Sequence, residues 1–166
     1  CIQDGTKIKR VVFTSSLTTI VGDDYTTDYL YSENDYALPD KTQPYTKSKI
    51  LAEKAAWNFV KDRKEKNLDC FELVVLNPGL LLGPVLHDIF CTSMEIPKRL
   101  MCGEMPIIPK VTFPAIDIRD VAEAHMKSLY LDNVVSKRFL IVSQNVSPPA
   151  QQIAIWLNEE FSRKGY

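Results

Sequence analysis

The chain has 166 residues, of which 45% are hydrophobic and 25% are charged, and these are the ordinary proportions of one globular domain. The formal net charge of −1 gives no general attraction to nucleic acid or to an anionic membrane surface, and no apolar run approaches the roughly 20 residues that a membrane-spanning helix needs. The four cysteines include no CxxC pair, so we expect reduced thiols in the cytoplasm, with no disulfide framework and no metal site.

The first half of the chain contains a short apolar run and a long helical segment. Residues 11–14 are apolar or β-branched and predict a buried strand, and the polar residues 23–43 predict a long surface loop. A helix is expected to begin near Pro44 and to continue to about residue 66, because the segment after Pro44 has no Gly or Pro. Its expected apolar face consists of Leu51, Ala55, Ala56, Phe59 and Val60.

The second half alternates between strands and helices. Its predicted strands cover residues 71–76, 115–117 and 139–142, and its predicted helices cover residues 94–102, 117–131 and the segment after Ser147. Asn77, Pro78 and Gly79 are read as a turn, and Asp117 as the N-cap of the second of these helices. Strands that alternate with helices predict an α/β fold, with helices packed on a parallel sheet.

Tyr45 and Lys49 are the strongest candidates for chemistry. They are four residues apart on a predicted helix, so their side chains lie on the same face, one turn from each other. A nearby ammonium stabilises a phenolate, so such a tyrosine can donate or accept a proton. The same spacing also occurs by chance, as a solvated tyrosine and lysine near the end of a helix.

Two serines, Ser15 and Ser16, follow the first predicted strand. In open parallel sheets ligands bind at the carboxyl ends of the strands, where a hydroxyl can hydrogen-bond a substrate carbonyl. Serines in this position are equally typical of an ordinary turn. Only the combination of this pair with Tyr45 and Lys49 favours a reaction centre.

Four blocks, in chain order, resemble the extended short-chain dehydrogenase/reductases, within the superfamily of NAD-dependent epimerases and dehydratases. They are VVFTSS at residues 11–16, YTKSK with LAEKAAW at 45–57, LNPG with GP at 76–84, and IDIRDVAEAH at 116–125. Within the family, the resemblance is to the branch of the dihydroflavonol reductases and 3β-hydroxysteroid dehydrogenases. It implies an NAD(P)-dependent oxidoreductase that reduces a ketone, an aldehyde or a flavanonol-like or steroid-like carbonyl to an alcohol.

The resemblance also implies the architecture. We expect a partial Rossmann-like parallel sheet with helices, equivalent to the C-terminal half of such an enzyme with part of its substrate region. The chain would form a single partial domain with three segments. These are a catalytic half at residues 1–83, a substrate-region insertion at 84–114 and a mixed segment at 115–166.

The resemblance implies roles for individual residues. Tyr45 would protonate the carbonyl oxygen, Lys49 would assist Tyr45 and bind the nicotinamide ribose, and Ser16 would hold the carbonyl oxygen, with Ser15 as the fallback. The implied cofactor-binding residues are Thr14, Tyr45, Lys49, Pro78, Gly79 and Leu80. The cofactor would be NADP or NAD, with NADP slightly favoured, and its reduced form would supply the hydride.

One feature of the family is missing from the sequence. The chain has six glycines, and none of them form the GxGxxG or GxxGxxG pattern that holds the cofactor pyrophosphate. We therefore expect a fragment or a naturally shortened relative that holds the pyrophosphate weakly by itself.

Two other functions remain open at this point. A sugar-nucleotide epimerase or dehydratase would share the Tyr-Lys pair, and a non-catalytic binding module would retain the fold without the cofactor loop. The expected partner is a small-molecule carbonyl or alcohol, with neither nucleic acid nor membrane. Of the two histidines, His87 could contact substrate, whereas His125 lies in the middle of a predicted helix and is expected to be structural.

Overall fold

The computed structural model describes residues 8–23, 28–86, 91–112, 114–143 and 148–164. The strands are β1 Arg10–Thr14, β2 Glu72–Pro78, β3 Leu80–Leu82, β4 Ala115–Asp117 and β5 Arg138–Ile141. The helices are α1 Thr18–Val21, α2 Pro44–Glu65, α3 Glu95–Met101, α4 Ile118–Tyr130 and α5 Ala150–Phe161. Two residues mentioned above lie outside the described residues: His87, which could contact substrate, and Ser147, which precedes the last predicted helix.

The chain divides into two compact units. The first consists of Cys1–Pro78 with Asp120–Ile141, and the second of Gly79–Arg119 with Val142–Tyr166. The three segments expected from the sequence, with divisions after residues 83 and 114, stay a prediction.

The first unit is built on a parallel sheet of three strands in the order β1-β2-β5. Val12 pairs with Val74, and Leu76 pairs with Phe139. The middle strand β2 is buried from Leu73 to its end. A parallel arrangement requires crossover connections between the strands, and the long helix α2 lies in the connection from β1 to β2. The expected α/β fold is confirmed.

The core of this unit lies between α2 and the sheet. Val60 of α2 packs against Leu73 and Val75 of β2, and all three are at most 4% exposed. Partly buried residues surround them, namely Val11, Phe13, Ala56, Trp57, Cys70 and Phe71. Full burial of each such aliphatic side chain contributes about 1.5–3 kcal/mol.

The buried face of α2 differs from the expected one. Leu51 and Phe59 are 50% and 47% exposed, and Ala55 is exposed as well. The residues of α2 that are buried are Thr46, Ile50, Glu53 and Val60. The prediction was confirmed for Val60 and for Ala56, which packs against the core, and was wrong for Leu51, Ala55 and Phe59. It counted only apolar residues, whereas the buried stripe contains a charged side chain whose hydrogen bonds compensate for its burial.

The second unit contains the two-stranded parallel sheet of β3 and β4, and its helix α3 packs against α5. Strand β3 was not expected, and the turn predicted at residues 77–79 was wrong for Asn77 and Pro78, because β2 continues to Pro78. Gly79 is required by a close backbone approach: a Cβ atom there would lie 2.0 Å from the carbonyl oxygen of Pro114. Asp117 caps α4 as expected, since its Oδ1 accepts the backbone N–H of Arg119 at 2.8 Å.

Candidate active site

Lys49 lies at the carboxyl end of β1, and Tyr45 precedes it by one turn of α2. The Lys49 ammonium donates to the backbone carbonyl of Thr14, the last residue of β1, at 3.1 Å, and lies 5.9 Å from the centre of the Phe13 ring. Tyr45 is the second residue of α2, one turn before Lys49, and is 63% exposed. The structure therefore brings Lys49 to the strand end and leaves the Tyr45 side chain accessible on the same helix.

Ser16 lies just beyond this strand end. Its hydroxyl oxygen accepts hydrogen bonds from the backbone N–H and the hydroxyl of Thr18, at 3.2 and 3.0 Å. The next residue, Leu17, donates its N–H to the carbonyl of Pro78 at 2.8 Å, which holds the segment beside the end of β2. Because Ser16 accepts both bonds from Thr18, its own hydroxyl proton is left to donate elsewhere.

Ser15 has a different environment. Its hydroxyl donates to the carboxylate of Glu53, and the residue is 4% exposed. The hydroxyl that the sequence offered as a fallback is thus engaged within the protein.

Glu53 receives hydrogen bonds from several segments of the first unit. It is 0% exposed, and the Arg138 guanidinium donates to it at 2.6 Å. Its other donors are Ser15, Thr19 at 3.0 Å, Tyr36 at 2.9 Å, Trp57 at 3.4 Å and Asn77 at 2.9 Å. Burial by itself raises the pKa of Glu53, but the Ser15 hydrogen bond, the Arg138 charge and the other donors outweigh it, so the pKa is lowered.

Arg138 is held as firmly as the carboxylate. Its guanidinium also donates to the backbone carbonyls of Glu33 and Asp35, at 2.7 and 2.8 Å, and lies 3.7 Å from the centre of the Tyr36 ring. Burial and the adjacent charge of Glu53 raise the pKa of Tyr36, so this phenol stays protonated.

His125 contacts the same strand end from α4. Its Nδ1 lies 2.8 Å from the Val121 carbonyl, which can only accept, so Nδ1 carries the proton of the neutral ring. Its Nε2 lies within hydrogen-bonding distance of the Thr14 hydroxyl, at 2.7 Å. Thr14 therefore joins His125 through its side chain and Lys49 through its backbone.

The other predicted cofactor-binding residues are divided between the two units. Pro78 ends β2 and is buried in the first unit, whereas Gly79 and Leu80 belong to the second. The close approach of the Pro114 carbonyl explains why residue 79 is a glycine, so no bound ligand is needed to explain it. Contact of these three residues with a cofactor stays a prediction.

Sequence reasoning missed Glu53, Arg138 and Asn77. A signal for Glu53 was present, since it follows Lys49 by four residues and Tyr45 by eight, on the same helical stripe. No comparable pattern marks Arg138 or Asn77, which reach the site through the fold.

The side chains at the strand end fit one part of a nicotinamide dinucleotide. An ammonium has three donor hydrogens, and the Thr14 carbonyl takes one from Lys49, so others remain for ribose hydroxyls. The Tyr45 side chain is exposed and so is open to a ligand. Within the described residues, no cluster of His, Cys, Asp and Glu suits a metal ion, and no helix has the length and apolarity to cross a membrane.

Known proteins resemble the chain in both sequence and structure. Cinnamoyl-CoA reductase CAD2 of Medicago truncatula is 35% identical over 125 residues, which are 72% of this chain and 36% of that enzyme. The crystal structure of yeast methylglyoxal/isovaleraldehyde reductase Gre2 complexed with NADPH matches with a TM-score of 0.78 and 29% identity, over 93% of this chain and 48% of the other.

The chain belongs to the extended short-chain dehydrogenase/reductase superfamily. It spans about half the length or less of these relatives, and no protein-family model matches it. The extended short-chain dehydrogenase/reductase fold is also seen in UDP-glucose 4-epimerase of Thermus thermophilus, with a TM-score of 0.63 over 92% of this chain and 48% of the epimerase. At 17% identity, that likeness shows the fold alone.

Proposed function

We propose that the protein carrying this chain is an NADP-dependent reductase that converts a small-molecule carbonyl to an alcohol, with Ser16, Tyr45 and Lys49 as its reaction centre. The observation that carries the proposal is the hydrogen bond from Lys49 to the carbonyl of Thr14. This bond places an ammonium at the carboxyl end of a parallel strand, where ligands bind in open α/β sheets. The lysine that carries the ammonium is one helical turn from the exposed Tyr45.

Each of the three residues has a distinct task in this proposal. The reduced cofactor, NADPH, would supply the hydride when bound. Tyr45 donates a proton to the carbonyl oxygen, and the Lys49 ammonium stabilises the phenolate that remains. The Ser16 hydroxyl donates a hydrogen bond that orients the carbonyl. Ser15 is not suited to that task, because its hydroxyl already donates a hydrogen bond to Glu53.

The proposed cofactor contacts involve Thr14, Tyr45, Lys49, Pro78, Gly79 and Leu80. Lys49 would bind the nicotinamide ribose through the hydrogens that Thr14 leaves available. NADP is favoured over NAD because the structurally similar yeast Gre2 was crystallised with NADPH. The glycine-rich loop for the pyrophosphate is not part of these 166 residues.

The substrate class follows from the relatives with the higher sequence identity. The cinnamoyl-CoA reductase and the methylglyoxal/isovaleraldehyde reductase are named for carbonyl substrates, which supports a ketone, an aldehyde or a flavanonol-like or steroid-like carbonyl here. The epimerase alternative has support only from the fold. We further propose that the protein acts in the cytoplasm, since Cys70, Cys91 and Cys102 are free thiols, as a reducing compartment favours. That neither nucleic acid nor membrane is a partner stays a prediction from the net charge of −1.

The test is Tyr45→Phe in the complete protein that carries this chain. Removing the phenol hydroxyl should lower the rate of carbonyl reduction by about 10²- to 10⁴-fold, because a positioned proton donor is lost. NADPH affinity should stay nearly unchanged, because Lys49 and the other proposed cofactor contacts remain. The rate is followed by the absorbance of the reduced nicotinamide, with ketones, aldehydes and flavanonols as substrates. NADPH affinity is measured separately by calorimetry.

Two further variants separate the roles, and a third is the control. Lys49→Ala should lower both the rate and the NADPH affinity, whereas Ser16→Ala should lower the rate alone. Tyr130→Phe, at a tyrosine on α4 that is 74% exposed, should match the parent. If Tyr45→Phe reduces every accepted substrate as fast as the parent, the proposed mechanism is wrong and another group supplies the proton. If the parent itself reduces none of these substrates, the binding-module alternative returns.

A further inference from the structure

Glu53 lies on the helical stripe that carries the proposed catalytic residues. Tyr45, Lys49 and Glu53 are spaced by four residues along α2, so successive side chains are rotated by only about 40°. Lys49 ends at the carboxyl end of β1, and Glu53 ends in the buried interior one turn further along. The orientation of α2 about its own axis is therefore constrained at Glu53 as well as at Lys49.

The same carboxylate holds the segment that carries Ser16. Its Oε2 accepts the hydroxyls of Ser15 and Thr19, which lie one residue before Ser16 and three residues after it. Asn77 donates from its side-chain amide both to Glu53, at 2.9 Å, and to the backbone carbonyl of Ser16, at 3.3 Å. Glu53 thus connects the strand-end turn to α2.

We propose that Glu53 is a positioning residue of the reaction centre, which fixes the Ser16 hydroxyl relative to Tyr45 and Lys49 through its bonds to Ser15, Thr19 and Asn77. This inference rests on the proposed reductase function, because it assigns Glu53 a role in aligning the groups that perform it. Arg138 supplies the compensating charge that keeps the carboxylate ionised in the interior. Neither residue needs to touch substrate.

The experiment compares Glu53→Gln with a matched control on the same sheet, Glu72→Gln. Glu72 pairs with Arg10 at 2.8 Å, and it lies at the start of β2, far along the strand from the proposed reaction centre. Both variants remove one carboxylate charge from an Arg–Glu pair and preserve side-chain size. They differ in which end of the sheet they affect.

For Glu53→Gln we expect kcat to fall by about 10- to 100-fold with little change in KM, because small misplacements of reacting groups carry penalties of this size. Glu72→Gln should retain the parent kcat, even where it is less stable. All rates are measured below the unfolding transition of each variant and corrected for the folded fraction by circular dichroism. An unchanged kcat in folded Glu53→Gln overturns the proposal.

Amide hydrogen exchange gives a readout that does not depend on activity. The N–H groups of Ser15 and Leu17 bond to the carbonyls of Leu76 and Pro78, at 2.7 and 2.8 Å, and so report on the turn that carries Ser16. Glu53→Gln should speed their exchange selectively, whereas Glu72→Gln should leave it at the parent rate. Uniformly faster exchange in Glu53→Gln would indicate a purely structural role and contradict the inference.

A milder variant covers the case in which Glu53→Gln does not fold. Ser15→Ala removes one donor to Glu53 without stranding the buried Arg138, and it should still lower kcat by about 3- to 10-fold at constant KM. A parent-like kcat in Ser15→Ala would then overturn the proposal. Tyr45→Phe is assayed in parallel to separate the two proposals. If Tyr45→Phe is inactive while the Glu53 and Ser15 variants are fully active, only the positioning role of Glu53 fails. If Tyr45→Phe is fully active, the proposed reductase mechanism itself fails.

Discussion

Two Arg–Glu pairs contact the first unit's sheet, and they are built differently. Arg10 and Glu72 begin β1 and β2, whereas Glu53, the partner of Arg138, bonds residues at the carboxyl ends of these two strands. At the amino end Arg10 bonds Glu72, whose side chain is 35% exposed, and also donates to the carbonyls of Ser128 and Leu131 near the end of α4. At the carboxyl end, the Glu53 and Arg138 side chains are 0% and 8% exposed. The two arginines are similarly buried, with Arg10 4% exposed, so the pairs differ in their carboxylates: Glu72 borders solvent, and Glu53 is enclosed by protein.

The difference shows how burial turns an ion pair into a constraint on its surroundings. Water can solvate Glu72 when its partner moves, so the pair at the amino end restricts its neighbours little. An enclosed carboxylate must find its donors among protein groups, because an uncompensated charge in the interior is strongly destabilising. Glu53 therefore orders the groups that surround it, and these adjoin the proposed reaction centre.

The largest expected effect comes from removing the cation at the enclosed end. Arg138→Met should lower the free energy of unfolding by about 3–5 kcal/mol, since it leaves the Glu53 charge buried without its partner. Urea unfolding followed by circular dichroism measures this loss. Arg99→Met, at an arginine whose side chain is 47% exposed, should stay within about 0.5 kcal/mol of the parent. A loss below about 1 kcal/mol for Arg138→Met would show that the enclosed pair is less critical than its burial implies.

A smaller effect is expected at the solvent-bordering end. Arg10→Met should lower the free energy of unfolding by about 1–2 kcal/mol, because the hydrogen bonds to the carbonyls of Ser128 and Leu131 are lost, while the unpaired Glu72 stays partly hydrated. The same urea titration measures it. Equal losses for Arg10→Met and Arg138→Met would remove the contrast between the two ends.

The smallest effect concerns mild acid. The pKa of Glu53 in the folded protein lies below its ordinary value of 4.5, so the unfolded chain takes up this proton first as the pH falls. The stability that Glu53 contributes is complete above about pH 4.5 and declines below it. The stability difference between the parent and Glu53→Gln should therefore narrow from pH 7 to pH 4. Asp117, whose pKa is lowered to about 2 by its hydrogen bonds from Arg119, is common to both proteins and cancels.

Elements with a long, uninterrupted pattern could be predicted from the sequence. The helix expected from Pro44 to about residue 66 is Pro44–Glu65 in the structure, because good helix formers without Gly or Pro leave few alternatives. Strand β3 could not be predicted, since it consists of only three leucines, which stand between Gly79 and Gly83 directly after the predicted turn. Three residues are too few to show a period.

The candidate site divides in the same way. Tyr45 and Lys49 were found because their relation is local, at four residues on one helix. The bond between Glu53 and Arg138 joins residues that are 85 positions apart, and a buried charge is the opposite of what an apolar-face rule selects. The resemblance already favoured Ser16 over Ser15, but the bond from Ser15 to Glu53, which gives a physical reason for that preference, is supplied only by the folded chain.

The shared stripe on α2 has a consequence for how this segment can change in evolution. Each added or deleted residue turns everything beyond it by about 100° around the helix axis. A single insertion between Lys49 and Glu53 would therefore point one of them away from the sheet, whereas many substitutions at the exposed positions between them leave both in place. The length of this stretch should be far less variable among related proteins than its composition, and an alignment gap there would mark a protein that has lost either the buried carboxylate or the lysine.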